Sequence, residues 1–229
     1  MEDVQELFDR TSRSYDFMNH LFSFSVDSAW RRRLVRESGA AQGSRVLDLC
    51  TGTGDVAIYF ARRIAGARVT ALDFSEQMLE RARTKVARAG LEGRVTLQRG
   101  DALSLPWPQG SFDVVCNSFG LRTLDDRGKA VAEMARVASA GGRVLILEFL
   151  PPPPTLFGAL YSWHLHTLMP ALGGALSGYR SSYAYLSETV ASFPSPERVG
   201  EMMRRAGLQE ITWHLLTGGI ACLFKGTRR

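Results

Sequence analysis

The chain has 229 residues, 45% apolar and 22% charged, enough to bury a full core and most simply organised as a single domain, 1–229. A net charge of +5, from 28 basic against 23 acidic residues, is compatible with an anionic membrane surface, an acidic ligand or nothing specific, but no basic run is interleaved with aromatics, so nucleic acid is not an expected partner. Cys50, Cys116 and Cys222 lack CxxC spacing and share no zinc-type spacing with His20, His164, His166 and His214; this argues against a disulfide framework or a metal and for small buried thiols in a reducing cytoplasm.

The opening MEDVQELFDR is acidic and polar, unlike a secretory signal, and residues 1–42 read as a helical N-terminal cap. From 43 to 149, RVLDLC, RVTALD, RVTLQRG, FDVVCNS and RVLILEF read as strands, with GDVAIYFARRIAG, SEQMLERARTKVARAG and DDRGKAVAEMARVASAGG as helices between them. In the second helix Met78, Leu79, Ala82, Val86 and Ala87 recur at helical spacing, Ser75 suits the N-cap and Gly90 the stop. The alternation predicts an α/β fold, a doubly wound and mostly parallel sheet with helices on both faces.

Residues 150–193 interrupt this pattern. Pro151 to Pro154 break the chain, and the stretch from Phe149 to Tyr179 carries no Asp, Glu, Lys or Arg. Pro170, Gly173 and Gly174 leave an apolar piece, 155–169, shorter than the ~20 residues a membrane-spanning helix needs. SYAYLSETVASF and SPERVGEMMRRAGL read as helices. In 194–229 the chain closes with QEITWHLLTGGIACLFKG, strands around Gly218 and Gly219 that predict a hairpin and an antiparallel last strand.

In an open α/β sheet the ligand lies beyond the carboxyl ends of the strands, closest to the turn after the first. In VLDLCTGTGDVAI, Gly52 and Gly54 let the backbone approach a ligand with no Cβ in the way. GTGDVA also satisfies a dinucleotide pattern, with Asp73 where a ribose-binding acid belongs, so the glycines alone fit either a dinucleotide enzyme or a nucleoside-binding methyltransferase. Charge separates them: Asp48 and Asp55 crowd the turn and would repel a pyrophosphate, whereas S-adenosylmethionine brings a sulfonium and an α-ammonium and no phosphate. Asp55 also suits a helix N-terminus. Asp73 can accept from ribose hydroxyls, and Asp101 with Ala102 in GDALSLPW suits the adenine amine and ring edge.

With these residues in place the sequence resembles a known family, the C-methyltransferases of menaquinone and ubiquinone biosynthesis. The likeness covers nearly the whole chain, through SRSYDFMNHLFSFSVDSAW, VLDLCTGTGD, ALDFSEQML, GDALSLPWPQGSFDVV, SFGLRTLDD, RVLILEF, SYAYLSETVASFPSPE and MMRRAGL. YDFMN, SFGLR and SYAYL carry the family specificity; the glycine turn and strand acids are common to most S-adenosylmethionine enzymes. The resemblance implies a seven-stranded sheet of the class I methyltransferase type and S-adenosylmethionine as cofactor, contacted by Thr53, Asp73, Asp101, Ala102 and Ser118. It also implies methyl transfer to a ring carbon of a polyprenyl quinol. Asp27 stands where the family usually has His, Thr123 where it has Asn, and Ser139-Ala140 where it has Lys-Pro.

Methylating an aromatic carbon requires an electron-rich ring, so a quinol hydroxyl must lose or share its proton. Positioning supplies several kcal/mol of the barrier and a general base roughly 10²- to 10⁴-fold more. The candidate catalytic residues are Arg122, which could stabilise a quinolate oxygen or hold an activating water, and Tyr15, which could hydrogen-bond cofactor or quinol. Their plainer roles are an ion pair with Asp125 or Asp126, and packing. Leu156, Phe157, Leu160, Tyr161, Leu165, Leu168 and Met169 offer an apolar entrance for a polyprenyl tail, as a lid in peripheral contact with the inner face of the membrane; a core helix or a homodimer contact is the alternative.

On overall likeness the expected reaction is demethylmenaquinol to menaquinol. The alternatives are C-methylation of 2-methoxy-6-polyprenyl-1,4-benzoquinol, small-molecule O- or N-methylation, a dinucleotide reductase, and a non-catalytic cofactor-binding scaffold in a quinone-synthesis complex.

Overall fold

The structure is a computed structural model that describes residues 26–163, 167 and 187–229. Tyr15 and the rest of YDFMN, SYAYL, His20, His164 and His166 lie outside the described residues. Among those described, the elements in chain order are α1 (Asp27–Glu37), β1 (Arg45–Leu49), α2 (Asp55–Arg63), β2 (Arg68–Asp73), α3 (Glu76–Arg88), β3 (Val95–Arg99) and β4 (Phe112–Ser118). A 3₁₀ turn (Leu121–Thr123), α4 (Arg127–Val137), β5 (Ala138–Phe149), α5 (Leu156–Trp163), α6 (Pro196–Arg205), β6 (Leu208–Leu216) and β7 (Ala221–Arg228) follow.

The strands form one seven-stranded sheet in the order β3-β2-β1-β4-β5-β7-β6. β1 to β5 are parallel, and β7 runs antiparallel to both β5 and β6. Parallel strands covered on both faces must be apolar on both. Val46, Val69, Val114 and Leu145 accordingly face a core shared with α1 and α2, and Leu47, Leu72, Val115 and Val144 face one shared with α4 and α6. Ser75 caps α3 by accepting from the Met78 amide at 3.2 Å, and Gly90, at φ +65°, follows its end.

The structure departs from the sequence reading at the end of α4, which stops at Val137 rather than continuing through Gly142. Ala138 already pairs with Phe112 of β4, and a register shift before Arg143 absorbs the intervening residues. A Cβ at Gly142 would lie 2.8 Å from the Ser139 carbonyl oxygen. The last two strands do pair as a hairpin, joined by a 3₁₀ turn, Thr217–Gly219, with all three residues at positive φ. The turn is tied to α1, because Trp30 Nε1 donates to Thr217 Oγ1 at 3.0 Å.

α5 buries Gly158 and Tyr161 and leaves Leu156 90%, Leu160 61% and Trp163 54% exposed. No helix among the described residues is long and apolar enough to cross a membrane.

Candidate functional site

The carboxyl ends of β1, β2 and β4 open onto a cavity of ≈ 320 Å³ whose lining includes Asp73, Asp101, Ala102, Phe119, Gly120 and Thr123. Its wall follows from hydrogen bonds that fix the acids. Asp73 Oδ2 accepts from the Gly52 amide at 2.7 Å and Oδ1 from the Ser75 amide at 3.0 Å, so the carboxylate is clamped between the glycine turn and the start of α3. Asp101 Oδ1 accepts from the Leu103 amide at 2.8 Å, and Ala102 is buried beside it. Gly54, at φ +84°, forms the N-cap of α2 and packs against α3: a Cβ there would meet that of Ala82 at 3.2 Å.

Thr53 and Ser118 stand in an adjoining polar recess with Arg31, Asp48 and Asp55. Both are close to the glycine turn, and neither is part of the main cavity lining. Thr53 Oγ1 accepts from Lys85 Nζ at 3.0 Å. Ser118 Oγ is buried with no hydrogen-bond partner among the described residues, and a buried hydroxyl left without a partner points to a missing ligand or water.

The charges in this recess are more balanced than their sequence order implies. Asp55 pairs with Arg31 at 2.5 Å and also with Lys85; Arg31 in turn lies 3.6 Å from the buried Asp27. Asp55 is therefore not a bare negative charge, and its weight against a pyrophosphate is smaller than the sequence suggested. Asp48 is fully buried; burial pushes its pKa up to about 6, against hydrogen bonds from Thr51 Oγ1 at 2.6 Å and from the Cys116 thiol at 3.5 Å.

A recess offering carboxylates, a guanidinium and hydroxyls suits a zwitterion. The clamped Asp73 and the Asp101-Ala102 pair suit an adenosine. The donor set as a whole thus fits S-adenosylmethionine.

At the far end of the cavity, β4 turns sharply. Phe119 is at φ +62° and Cys50, at the end of β1, is at φ +53°, a region costly for residues with a Cβ and often found at functional sites. The sequence reading missed Asn117, which holds this turn. Its Nδ2 donates to the Leu49 carbonyl at 3.0 Å, and its Oδ1 accepts from the Gly120 and Leu121 amides. Phe119 stacks on Phe149 with centroids 4.6 Å apart, and Thr123 reaches the cavity while its hydroxyl donates to the Gly120 carbonyl at 2.8 Å.

Arg122 is buried outside the cavity lining. Its ion-pair partner is Glu148, with Nη1 to Oε1 at 2.7 Å, rather than Asp125 or Asp126; Asp126 instead caps α4 through the Lys129 amide. Glu148 Oε2 also accepts from the Arg122 amide, and Arg122 Nη1 donates to the Phe119 carbonyl. The only sequence signal for Glu148 is a charge at the end of an apolar strand.

The fold resembles solved class I methyltransferases. An S-adenosylmethionine-dependent methyltransferase of Thermotoga maritima superposes with a TM-score of 0.69 at 19% identity, covering 99% of this chain and 100% of that one; at that identity the likeness shows the fold alone. The sequence relations are much closer. A demethylmenaquinone methyltransferase of Thermus thermophilus is 43% identical over 97% of this chain and 100% of its own. A ubiquinone/menaquinone biosynthesis C-methyltransferase UbiE of Geotalea uraniireducens is 40% identical over 99% and 97%. Residues 1–228 match the ubiE/COQ5 methyltransferase family. With a class I sheet, a cavity fitted to S-adenosylmethionine and this match along almost its entire length, the chain belongs to the ubiE/COQ5 methyltransferase family.

Proposed function

We propose that this protein methylates a ring carbon of a polyprenyl quinol, converting demethylmenaquinol to menaquinol. The observation that carries the reading is a single cavity running from the nucleoside acids, Asp73 and Asp101, to the Phe119–Thr123 turn, in a chain 43% identical to a demethylmenaquinone methyltransferase along its length. S-adenosylmethionine, when bound, supplies an electrophilic methyl group.

The rest of the chemistry falls to the protein. Phe119, Gly120 and Thr123 would form the wall against which the quinol ring lies, keeping water from it and aligning the ring carbon. Arg122 would act through position: paired with Glu148 and anchored to the Phe119 carbonyl, it fixes the turn that carries Phe119, Gly120 and Thr123 to the cavity. Tyr15 is assigned to the quinol hydroxyl or the cofactor carboxylate. The exposed face of α5 is assigned to the bilayer that holds the substrate; pairing with a second copy is its competing use, read out by sedimentation with and without vesicles.

The deciding experiment incubates the purified protein with labelled S-adenosylmethionine and short-tailed quinols. Label in the ring carbon of the naphthoquinol is expected. Exclusive labelling of the methoxybenzoquinol would redirect the reading to the ubiquinone branch, and label on oxygen or nitrogen would replace it with another methyltransferase. Cofactor binding without turnover of any quinol would favour a scaffold.

A further inference from the structure

Away from the cavity, a groove of ≈ 870 Å³ runs along the flank of the sheet between α1, α2 and the end of β6; its lining includes Arg32, Arg36, Tyr59, Arg63, Leu215 and Thr217. Arg32 and Arg36 lie one helical turn apart on α1 and so project from one face, with Arg63 at the end of α2 across from them. All three are exposed, and none has an ion-pair partner among the described residues, whereas their neighbour Arg33 is held by Glu37 at 2.6 Å. Leu215, on the opposite wall, is 58% exposed. The groove thus combines uncompensated cations with an apolar wall.

It also adjoins the exposed apolar face of α5. A Cβ at Gly218 would meet the Phe157 ring at 2.8 Å, so α5 rests on the Thr217–Gly219 turn, and Thr217 lines the groove. The exposed Leu156, Leu160 and Trp163 of α5 and the groove arginines are thus linked through that turn. A cation-rich surface next to exposed Leu and Trp matches the boundary of a bilayer, with phosphates outside and acyl chains within.

We propose that this groove docks anionic phospholipid headgroups, so that α5 meets the acyl boundary from which the quinol is drawn. The proposal rests on the quinol-methylation reading for its purpose, but not for its test. Each basic residue near an anionic leaflet strengthens binding by roughly five-fold (about 1 kcal/mol), so removing three should weaken it on the order of 100-fold.

The test is flotation of the full chain with phosphatidylcholine vesicles, with and without phosphatidylglycerol. The parent protein should float only with the anionic vesicles, and less as salt rises. R32Q/R36Q/R63Q should lose binding on the order of 100-fold, by the same estimate, and keep its turnover of a soluble short-tailed quinol. K129Q/R204Q/R205Q, an equal charge change on α4 and α6 across the sheet, should stay within a few-fold of the parent. A parent that ignores anionic vesicles, as an acidic protein partner for the groove would require, overturns the proposal. So does a control variant that loses as much as the groove variant. A parent that floats as expected but methylates no quinol supports the groove and removes the functional reading.

Discussion

Replacing Glu148 by glutamine removes the negative half of the most deeply buried ion pair among the described residues, with side-chain exposures of 1% for Arg122 and 0% for Glu148. The carboxylate does more than balance a charge: Oε1 meets the Arg122 guanidinium at 2.7 Å and the Phe149 amide at 2.9 Å, while Oε2 accepts from the Arg122 amide at 3.1 Å. Glutamine keeps one carbonyl oxygen but turns an amide donor toward other donors, and leaves the guanidinium buried. Breaking one side of such a pair costs about 3–5 kcal/mol, a large share of a typical stability of about 5–15 kcal/mol. In a chain of this size that is a melting point lower by roughly 6–20 °C. Urea unfolding of parent and E148Q, compared at equal m-value, measures it. R122M/E148L, which removes both charges, should lose less stability than E148Q. An E148Q protein within about 0.5 kcal/mol of the parent, the range of an ordinary surface substitution, would mean that the guanidinium is not dependent on Glu148, and the positioning role given to Arg122 would fall with it.

Other consequences can be measured separately. An α-ammonium bound in the recess beside Asp48 would favour its ionised form, so cofactor affinity by calorimetry should rise as pH climbs through about 6 and then level; a flat profile in the parent would put Asp48 out of contact. In the free protein the sign is opposite. Its folded pKa lies above the unfolded one, so its contribution to stability is present at low pH and lost as pH rises through about 6, and Asp48→Asn should gain stability over the parent at pH 8 but not at pH 4. Asp73→Ala should weaken cofactor binding on the order of 10²-fold through lost charge-assisted hydrogen bonds, with circular dichroism unchanged; tight binding by this variant would remove Asp73 from the ribose site. Gly120→Ala puts a Cβ 2.4 Å from that of Cys50 and should cost about 1–3 kcal/mol by overpacking. Cys50→Gly should restore much of that loss, and a G120A protein as stable as the parent would refute the close approach.

β1, β2, β4 and β5 are legible because strands buried inside the sheet are largely apolar runs, and Asp73 because it ends one of them; β3, at the edge and half-exposed, is legible only from its place in the alternation of strands and helices. The limit of α4 is not legible, since Ala138 and Ala140 suit a helix as well as a strand and only pairing with Phe112 decides. Glu148 is hidden for a related reason: it approaches Arg122 only because the register sets Ser118 beside Leu147. The charge at the glycine turn is misjudged from the sequence because Arg31 and Lys85, which compensate Asp55, come from helices on either side of it in the chain.

The position of β7 between β5 and β6 has a consequence for the order in which the molecule can be made. The five parallel strands can assemble while later residues are still on the ribosome. β6, although synthesised before β7, has no partner in the sheet until β7 exists, and Trp30 cannot find Thr217 until nearly the whole chain has emerged. The part of the cavity lined by Asp73 and Asp101 is therefore available to fold early, whereas docking of α1 against the β6–β7 turn is a late event. Substitutions at Thr217 or in β7 should act on that closing step and expose the Trp30 face of the nascent protein to aggregation.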